Sequence, residues 1–340
     1  MNKILQDFTN EMEFLKKYMK LQKKSYSDYF KSSSVPEDLK SLPIAKIKQF
    51  NFNSYIISIY GAYENFIEQM LSEYLKKLCT IVSNFSQLPE EIQKNNLVKT
   101  MDIIKKLEYP KYKHLKSDYL IEILHKNMNE DYPHLNIEAF KSHTANFKIG
   151  VIESYFSSIG INNLSKTITH YSPLKDYLEN EYTDYQTLKN SIVFSKIDTI
   201  CDTRNGIAHG VQSVQLLGET VLNEHIDFFI LFSKSLLNML NDCFLEILFS
   251  LQSTVFNPIH VFQKDILCFN TNGINLNKNN QILVKRENGK YPKHSNLDIL
   301  EIRKDNNPVD IIDDRNSIDI SVKVSEEVNK KVNFTIINLT

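Results

Sequence analysis

Apolar positions recur at helical spacing through the first 250 residues or so and then switch to alternation. In residues 2 to about 31, Leu5, Phe8, Met12, Leu15, Met19 and Phe30 fall near one stripe of a 3.6-residue turn, which predicts a long helix. Ser32-Ser33-Ser34-Val35-Pro36 breaks it. From roughly 51 to 82, Tyr60, Glu64, Ile67, Leu71, Tyr74 and Leu78 recur at i, i+4, i+7. A second long helix therefore carries a carboxylate within its buried stripe. Two shorter helical patterns lie between 91 and 128, separated by Tyr109-Pro110. Residues 131–148 read as irregular, Val151 to Ile159 as helical, and Ile161 to Asp184 as loop-rich with a turn or two started at Pro173. Leu222 to Gln252 then forms one long apolar helix.

Around Asn257-Pro258 the period changes. Ile318, Ile320, Val322 and Val324 alternate with Asp319, Ser321 and Lys323, which is strand spacing. Asn272-Gly273 and Asn288-Gly289 are hairpin-turn signals. The pattern predicts a mainly α chain. A helical domain over 1–254 is followed by a small antiparallel β domain, a sandwich or a barrel, over 255–340.

Composition narrows the function. A net charge of −1 gives no global field to attract a polyanion, so a nucleic-acid surface has to be a local groove. The cluster Lys16, Lys17, Lys20, Lys23 and Lys24 reads as a solvated helix face. Cys79, Cys201, Cys243 and Cys268 are widely spaced with no C-x-x-C pair, which suits a reducing cytoplasm better than disulfides or zinc. The N-terminus runs straight into a charged amphipathic pattern, and Lys234, Asp242 and Glu246 interrupt the most apolar stretch. A cytoplasmic protein with no membrane segment is expected. No phosphate-cradling glycine loop and no paired metal-ligand spacing is present, so neither cofactor nor metal is expected. Pro308-Val309-Asp310 with Asp319 and Lys323 approaches a metal-dependent nuclease core, but Ser321 stands where an acid-x-lysine pair needs its lysine.

Arginine usage singles out one stretch. Of 40 Lys+Arg only Arg204, Arg286, Arg303 and Arg315 are arginine, so lysine serves wherever a plain positive charge is enough. The arginine of Ile197 to Val211 is the only one before residue 286, and its planar fork can grip an anion bidentately as lysine cannot. On a helix, Ile197, Ile200, Cys201, Arg204, Ile207, Ala208 and Val211 form one stripe, with Asp198, Asp202, Asn205 and His209 on a second. Arg204 is thus expected to be buried and paired, with Glu64 as its natural partner. Arg204 and His209 stand about 140° apart on an ideal helix. Bringing their heads together needs a long Arg arm, a break at Gly206, or a second copy across a two-fold axis.

Arg204-Asn205-Gly206-Ile207-Ala208-His209 resembles the R-N-x-x-x-H signature of HEPN-superfamily ribonucleases. Tyr60 to Glu68 (Tyr-Gly-Ala-Tyr-Glu-Asn-Phe-Ile-Glu) and His143-Thr144-Ala145-Asn146-Phe147-Lys148 resemble the prokaryotic HEPN-like nuclease branch, over about residues 45–250. The resemblance implies a HEPN-like helical bundle and a metal-independent endoribonuclease whose site forms at a homodimer interface. It also implies toxin or anti-phage defence roles, with an antitoxin or a phage-derived trigger protein as possible partners.

The chemistry suits the residues. Histidine transfers protons near neutral pH, and a bidentate arginine stabilises charge building on a phosphorane. The 2′-hydroxyl of RNA is itself the nucleophile, so no metal-activated water is required. In this scheme Arg204 and His209 are catalytic, and Asn205, one turn before His209, fixes its tautomer. Glu64 either holds Arg204 from behind or lies at the edge of its stripe and reaches water; His143, Asn146 and Lys148 are candidate RNA contacts, with a structural hydrogen-bonding role the leading reading of His143. The alternative is a catalytically silent helical module that dimerises or binds a partner, with the β domain as sensor. Phe262, Phe269, Tyr291 and Phe334 are too scattered to make an RNA-stacking face there.

Overall fold

The computed structural model describes residues 1–31, 36, 41–129, 133–143, 145–210, 216–286, 291–313, 317–328 and 331–337, with backbone alone at 26, 27 and 29–31. The helix break at Ser32–Val35, the side chain of Phe30, the turn at Asn288-Gly289, Thr144, Val211 and Arg315 lie outside those residues. Among the described residues, eleven α-helices precede nine strands. The long helices are α1 (Asn2–Lys31), α2 (Ile44–Ile81), α3 (Glu90–Ile104) and α4 (Ser117–Met128). Shorter ones follow: α5 (Ile137–Lys141), α6 (Ile149–Ser157), α7 (Leu164–Ile168), α8 (Leu174–Glu181) and α9 (Asn190–Val193). The bundle closes with α10 (Ser195–Ala208) and α11 (Glu219–Ser250). The chain divides into two compact units, Met1–Leu237 and Asn238–Thr340, so the last turns of α11 group with the strands.

The first unit is organised around α2. Its residues Ile56, Ile59, Tyr63, Phe66, Ile67, Met70 and Leu71 are fully buried over a broad arc, as expected of a helix covered on several sides. Phe66 meets Phe8 of α1 with ring centroids 4.6 Å apart, and Tyr63 meets Phe229 of α11 at 4.5 Å. Burying each such ring contributes roughly 1.5–3 kcal/mol. The helix begins earlier than its apolar pattern because Ile44 and Phe50, in its first turns, are exposed and follow no core spacing. On α1, Lys16 pairs with Glu13 and Asp227, and Lys23 with Glu219, as a solvated face does. The stretch 161–184 holds α7 and α8, too short to show a period in the sequence.

Helix α11 is long and apolar enough to cross a membrane by length and composition, despite the three charges noted above, but 67% of its apolar window is buried inside the protein. Its polar groups are used internally. Ser235 Oγ accepts the Leu174 backbone N–H at 2.9 Å and donates to the Tyr171 carbonyl at 2.9 Å, which ties down the start of α8.

The second unit is a curled antiparallel sheet, a half-barrel. Its strands are β1 (His260–Phe262), β2 (Ile266–Asn270), β3 (Leu276–Asn277), β4 (Gln281–Arg286) and β5 (His294–Lys304). They continue with β6 (Asn307–Val309), β7 (Ile311–Ile312), β8 (Asp319–Val324) and β9 (Val332–Ile337). The main order is β1-β2-β8-β5-β4-β9, with β6 on β5 and a separate β3-β7 pair. In β8, Ile320, Val322 and Val324 face the core and Asp319, Ser321 and Lys323 do not, as the alternation predicts. Asn272 and Gly273 do make a tight turn at φ +48° and +78°, closed by the Ile274 N–H on the Thr271 carbonyl at 3.0 Å. It joins β2 to β3, which pair with β8 and β7 instead of each other, so it is not a hairpin. Asp310 pairs with Lys278 and Lys323 with Asp265, while Asp319 accepts from Asn270, so these residues gather no common site.

A buried contact ties α11 into this unit. Asp242, 4% exposed, accepts the backbone N–H groups of Lys293 at 2.7 Å and His294 at 2.8 Å, and the His294 ring Nδ1 at 2.9 Å.

Candidate active site

Helix α10 follows α9 almost directly and buries Ile197, Ile200 and Cys201. Its apolar stripe is covered only in this first half, because Arg204 and Ile207 are half-buried and Ala208 is exposed. Arg204 therefore sits at the rim of the core, contrary to the burial its stripe position predicts. The helix continues unbroken through Gly206 and stops after Ala208. Gly210 ends it: at φ +68° it takes the left-handed conformation that suits glycine, while the N–H groups of His209 and Gly210 close on the carbonyls of Asn205 and Ile207. His209 is left exposed at the helix terminus.

The guanidinium of Arg204 lies over the ring of Tyr60 on α2, 5.1 Å from the centroid. Such a contact contributes about 0.5–2 kcal/mol depending on desolvation, and it consumes none of the five N–H donors. No ion pair joins Arg204 to Glu64. The Tyr60 hydroxyl donates to Glu64 Oε1 at 2.8 Å and accepts the Phe147 N–H at 3.3 Å. Burial, and then the bond to Glu64, push the Tyr60 phenol well above its ordinary value, so it stays protonated. Glu64, the expected partner of Arg204, instead bonds Tyr60, the residue whose ring Arg204 covers.

The segment after α5 is docked on both helices. His143 Nε2 faces Glu68 Oε1 at 2.9 Å and Glu64 Oε1 at 3.8 Å, while Nδ1 faces the Ala145 carbonyl at 3.0 Å. Both ring nitrogens meet oxygens placed to accept, an arrangement that favours the doubly protonated imidazolium. The bond to Glu68 raises the His143 pKa, and the same bond lowers that of Glu68. His143 also packs on Phe147, with centroids 4.2 Å apart. Tyr63 donates to the Phe147 carbonyl at 3.4 Å. Asn146 donates its amide to Asn205 Oδ1, Lys148 bonds Asp202 at 2.6 Å, and the Ile149 N–H bonds Asp198 at 3.2 Å.

The three motif segments, widely separated in sequence, are thus bonded into one surface made by α2, residues 143–148 and α10. Within it Asn205 spends its side-chain oxygen on Asn146 rather than on the His209 ring. Among the described residues, no hydrogen bond or ring contact joins the His209 imidazole to Arg204 or to the 143–148 segment. His143 bonds Glu68 and the Ala145 carbonyl, Asn146 bonds Asn205, and Lys148 bonds Asp202. The contacts of Tyr60, Glu68, Asp198 and Asp202 are not legible in the sequence. Tyr60 and Glu68 lie in a motif segment, and the two aspartates on the polar stripe of α10, but only the fold shows what each faces. Cys201 behind the site is inert, its thiol pushed up to about 12 by burial and the neighbouring Asp198 and Asp202.

The RiboL-PSP-HEPN family model matches residues 22–246, about two thirds of the chain, and the protein belongs to this family of the HEPN superfamily. No curated protein and no solved structure matches the chain. The superfamily generally comprises ribonucleases, which gives the chain a nuclease-type, RNA-related function at that coarse level.

Proposed function

We propose that the protein is a metal-independent endoribonuclease working as a homodimer, with Arg204 and His209 of both chains lining one cleft. The observation that carries this reading is the state of Arg204: half-buried, stacked on Tyr60, and without a carboxylate partner among the described residues. A cation placed this way retains its full donor set for a phosphate. His209, exposed at the end of the same helix, takes the proton of the 2′-hydroxyl in one copy and protonates the departing 5′-oxygen in the other. The products are a 2′,3′-cyclic phosphate and a 5′-hydroxyl. The angular separation of Arg204 and His209, with no contact between their side chains in one chain, supports a site completed by a second copy.

In this proposal the protein acts in the cytoplasm as a toxin or anti-phage effector, restrained by an antitoxin or released by a phage-derived trigger. The sheet unit takes part in target choice or regulation. The test is purified protein incubated with total RNA in EDTA, with analysis of the product ends and sedimentation of the native chain. Cleavage by a dimer with cyclic-phosphate ends is the expected result. A protein that dimerises and binds RNA without cutting it would be the silent module instead.

A further inference from the structure

Arginines at the rim of a core are commonly held by carboxylates. Arg204 bonds no carboxylate among the described residues, and its guanidinium lies over an aromatic ring instead. Tyr60 is only 2% exposed, and its hydroxyl is fixed by the bond to Glu64 on its own helix and by the Phe147 N–H from the docked segment. The ring therefore cannot swing away, and it offers Arg204 a rigid plate 5.1 Å from the guanidinium carbon. An ion pair would neutralise the guanidinium and use up to two of its donors. The face of a ring attracts the cation without neutralising it, and among the described residues the guanidinium makes no hydrogen bond.

We propose that Tyr60 is a positioning residue that aims the unneutralised fork of Arg204 at the substrate phosphate, with Glu64, His143 and Glu68 fixing the plate from behind. It rests on Arg204 being the anion ligand of the proposed ribonuclease. The attraction depends on electron density at the ring face, a property that packing and hydrogen bonding do not share.

The experiment replaces Tyr60 in the full-length chain by Phe and by mono-, di- and trifluorinated phenylalanine, which keep the ring shape and progressively weaken its face. Two readouts are taken: cleavage of a defined RNA, and binding of an uncleavable 2′-O-methyl oligoribonucleotide by fluorescence anisotropy. Relative to Tyr60→Phe, kcat should fall stepwise, by about tenfold across the series, with thermal stability unchanged. Tyr60→Leu, if it folds, should lose about 100-fold, the scale of an ångström-sized misplacement of a catalytic group. Equal kcat and equal binding along the fluorine series would overturn the proposal. If the wild-type chain cuts no RNA, the ribonuclease reading fails by itself. A fluorine-dependent loss of oligonucleotide binding, absent from an Arg204→Ala background, would still support Tyr60 in that case. A series as flat as that background would end the proposal too.

Discussion

Arg303, on β5 of the sheet unit, donates from Nε to Glu301 at 2.5 Å, and Arg286 on β4 donates to Ser295 at 2.5 Å and lies 3.8 Å from Glu326. Arg204, on α10 of the helical unit, faces a ring and no carboxylate among the described residues. The chain uses lysine almost everywhere, so each of its few arginines is informative, but they are informative in different ways. Arg286 and Arg303 tie neighbouring side chains together. Arg204 is supported by a network that satisfies Glu64, Glu68, His143, Asn146 and Asn205 among themselves and leaves its own donors over. Polar groups that end in each other build structure. One left pointing outward from such a network is equipped for a ligand.

The most severe separation of the two regions is expected from His209→Ala. This exposed side chain makes no hydrogen bond, ion pair or ring contact among the described residues, so the melting temperature should stay constant while the cleavage rate drops by about 1000-fold, within the range for loss of a proton-transfer group. Asp242→Ala should do the opposite. It strips a buried carboxylate from two backbone N–H groups and the His294 ring, and should destabilise the second unit by about 3 kcal/mol in urea denaturation. RNA bound by residues of the first unit should still be cut under native conditions. The same contact bears on the proposed division after residue 254, because a chain ending there leaves Asp242 without these strand partners.

Gly210→Ala is a smaller perturbation placed between the two roles. At φ +68° an alanine costs about 1–2 kcal/mol, and the terminus that presents His209 should fray. Cleavage should fall by roughly tenfold with a modest drop in melting temperature, and Gly210→Asn should recover part of it because asparagine tolerates this conformation.

The smallest effect is one of pH on the 143–148 segment. His143 has a raised pKa, so its contribution to stability is complete below the ordinary histidine value of 6.5 and is lost as pH rises through the folded value. Glu68 has a lowered pKa, so its contribution is present above the ordinary 4.5 and is lost as pH falls through the depressed value. Hydrogen exchange at residues 145–148 should be slowest between about 4.5 and 6.5, after correction for intrinsic rates. In His143→Gln the loss on the alkaline side should vanish.

These networks also show where sequence analysis stops. The long helices were legible because each buries a periodic stripe, and α1 begins where its pattern does. The early start of α2 was not, since Ile44 and Phe50 are exposed apolar residues that no core spacing marks. Arg204 and His209 could be picked out by residue scarcity and by motif. Burial of Arg204 was misjudged because a helical wheel gives direction but not how far the neighbouring helix extends to cover it. Glu64, like Arg204, lies half-buried on its stripe, and its bonding partner is its neighbour one turn earlier, Tyr60. Asn205 was assigned to His209 from spacing on one helix, whereas its partner Asn146 comes from a segment 59 residues away that only the fold delivers. The turn at Asn272-Gly273 was legible for the same local reason. The strands it connects were not, because β8 and β7 come from far along the chain.

The claim that rests most heavily on these differences is that Arg204 acts through its fork rather than its charge. It is tested by single-turnover cleavage of a defined RNA in EDTA by Arg204→Lys, with Arg303→Lys as the paired control. Arg204→Lys should lose about 100-fold or more, nearly as much as Arg204→Ala, while folding normally, because a point charge cannot make two parallel bonds to a phosphate. Arg303→Lys should cut RNA at the wild-type rate. Retention of most activity by Arg204→Lys would contradict the account.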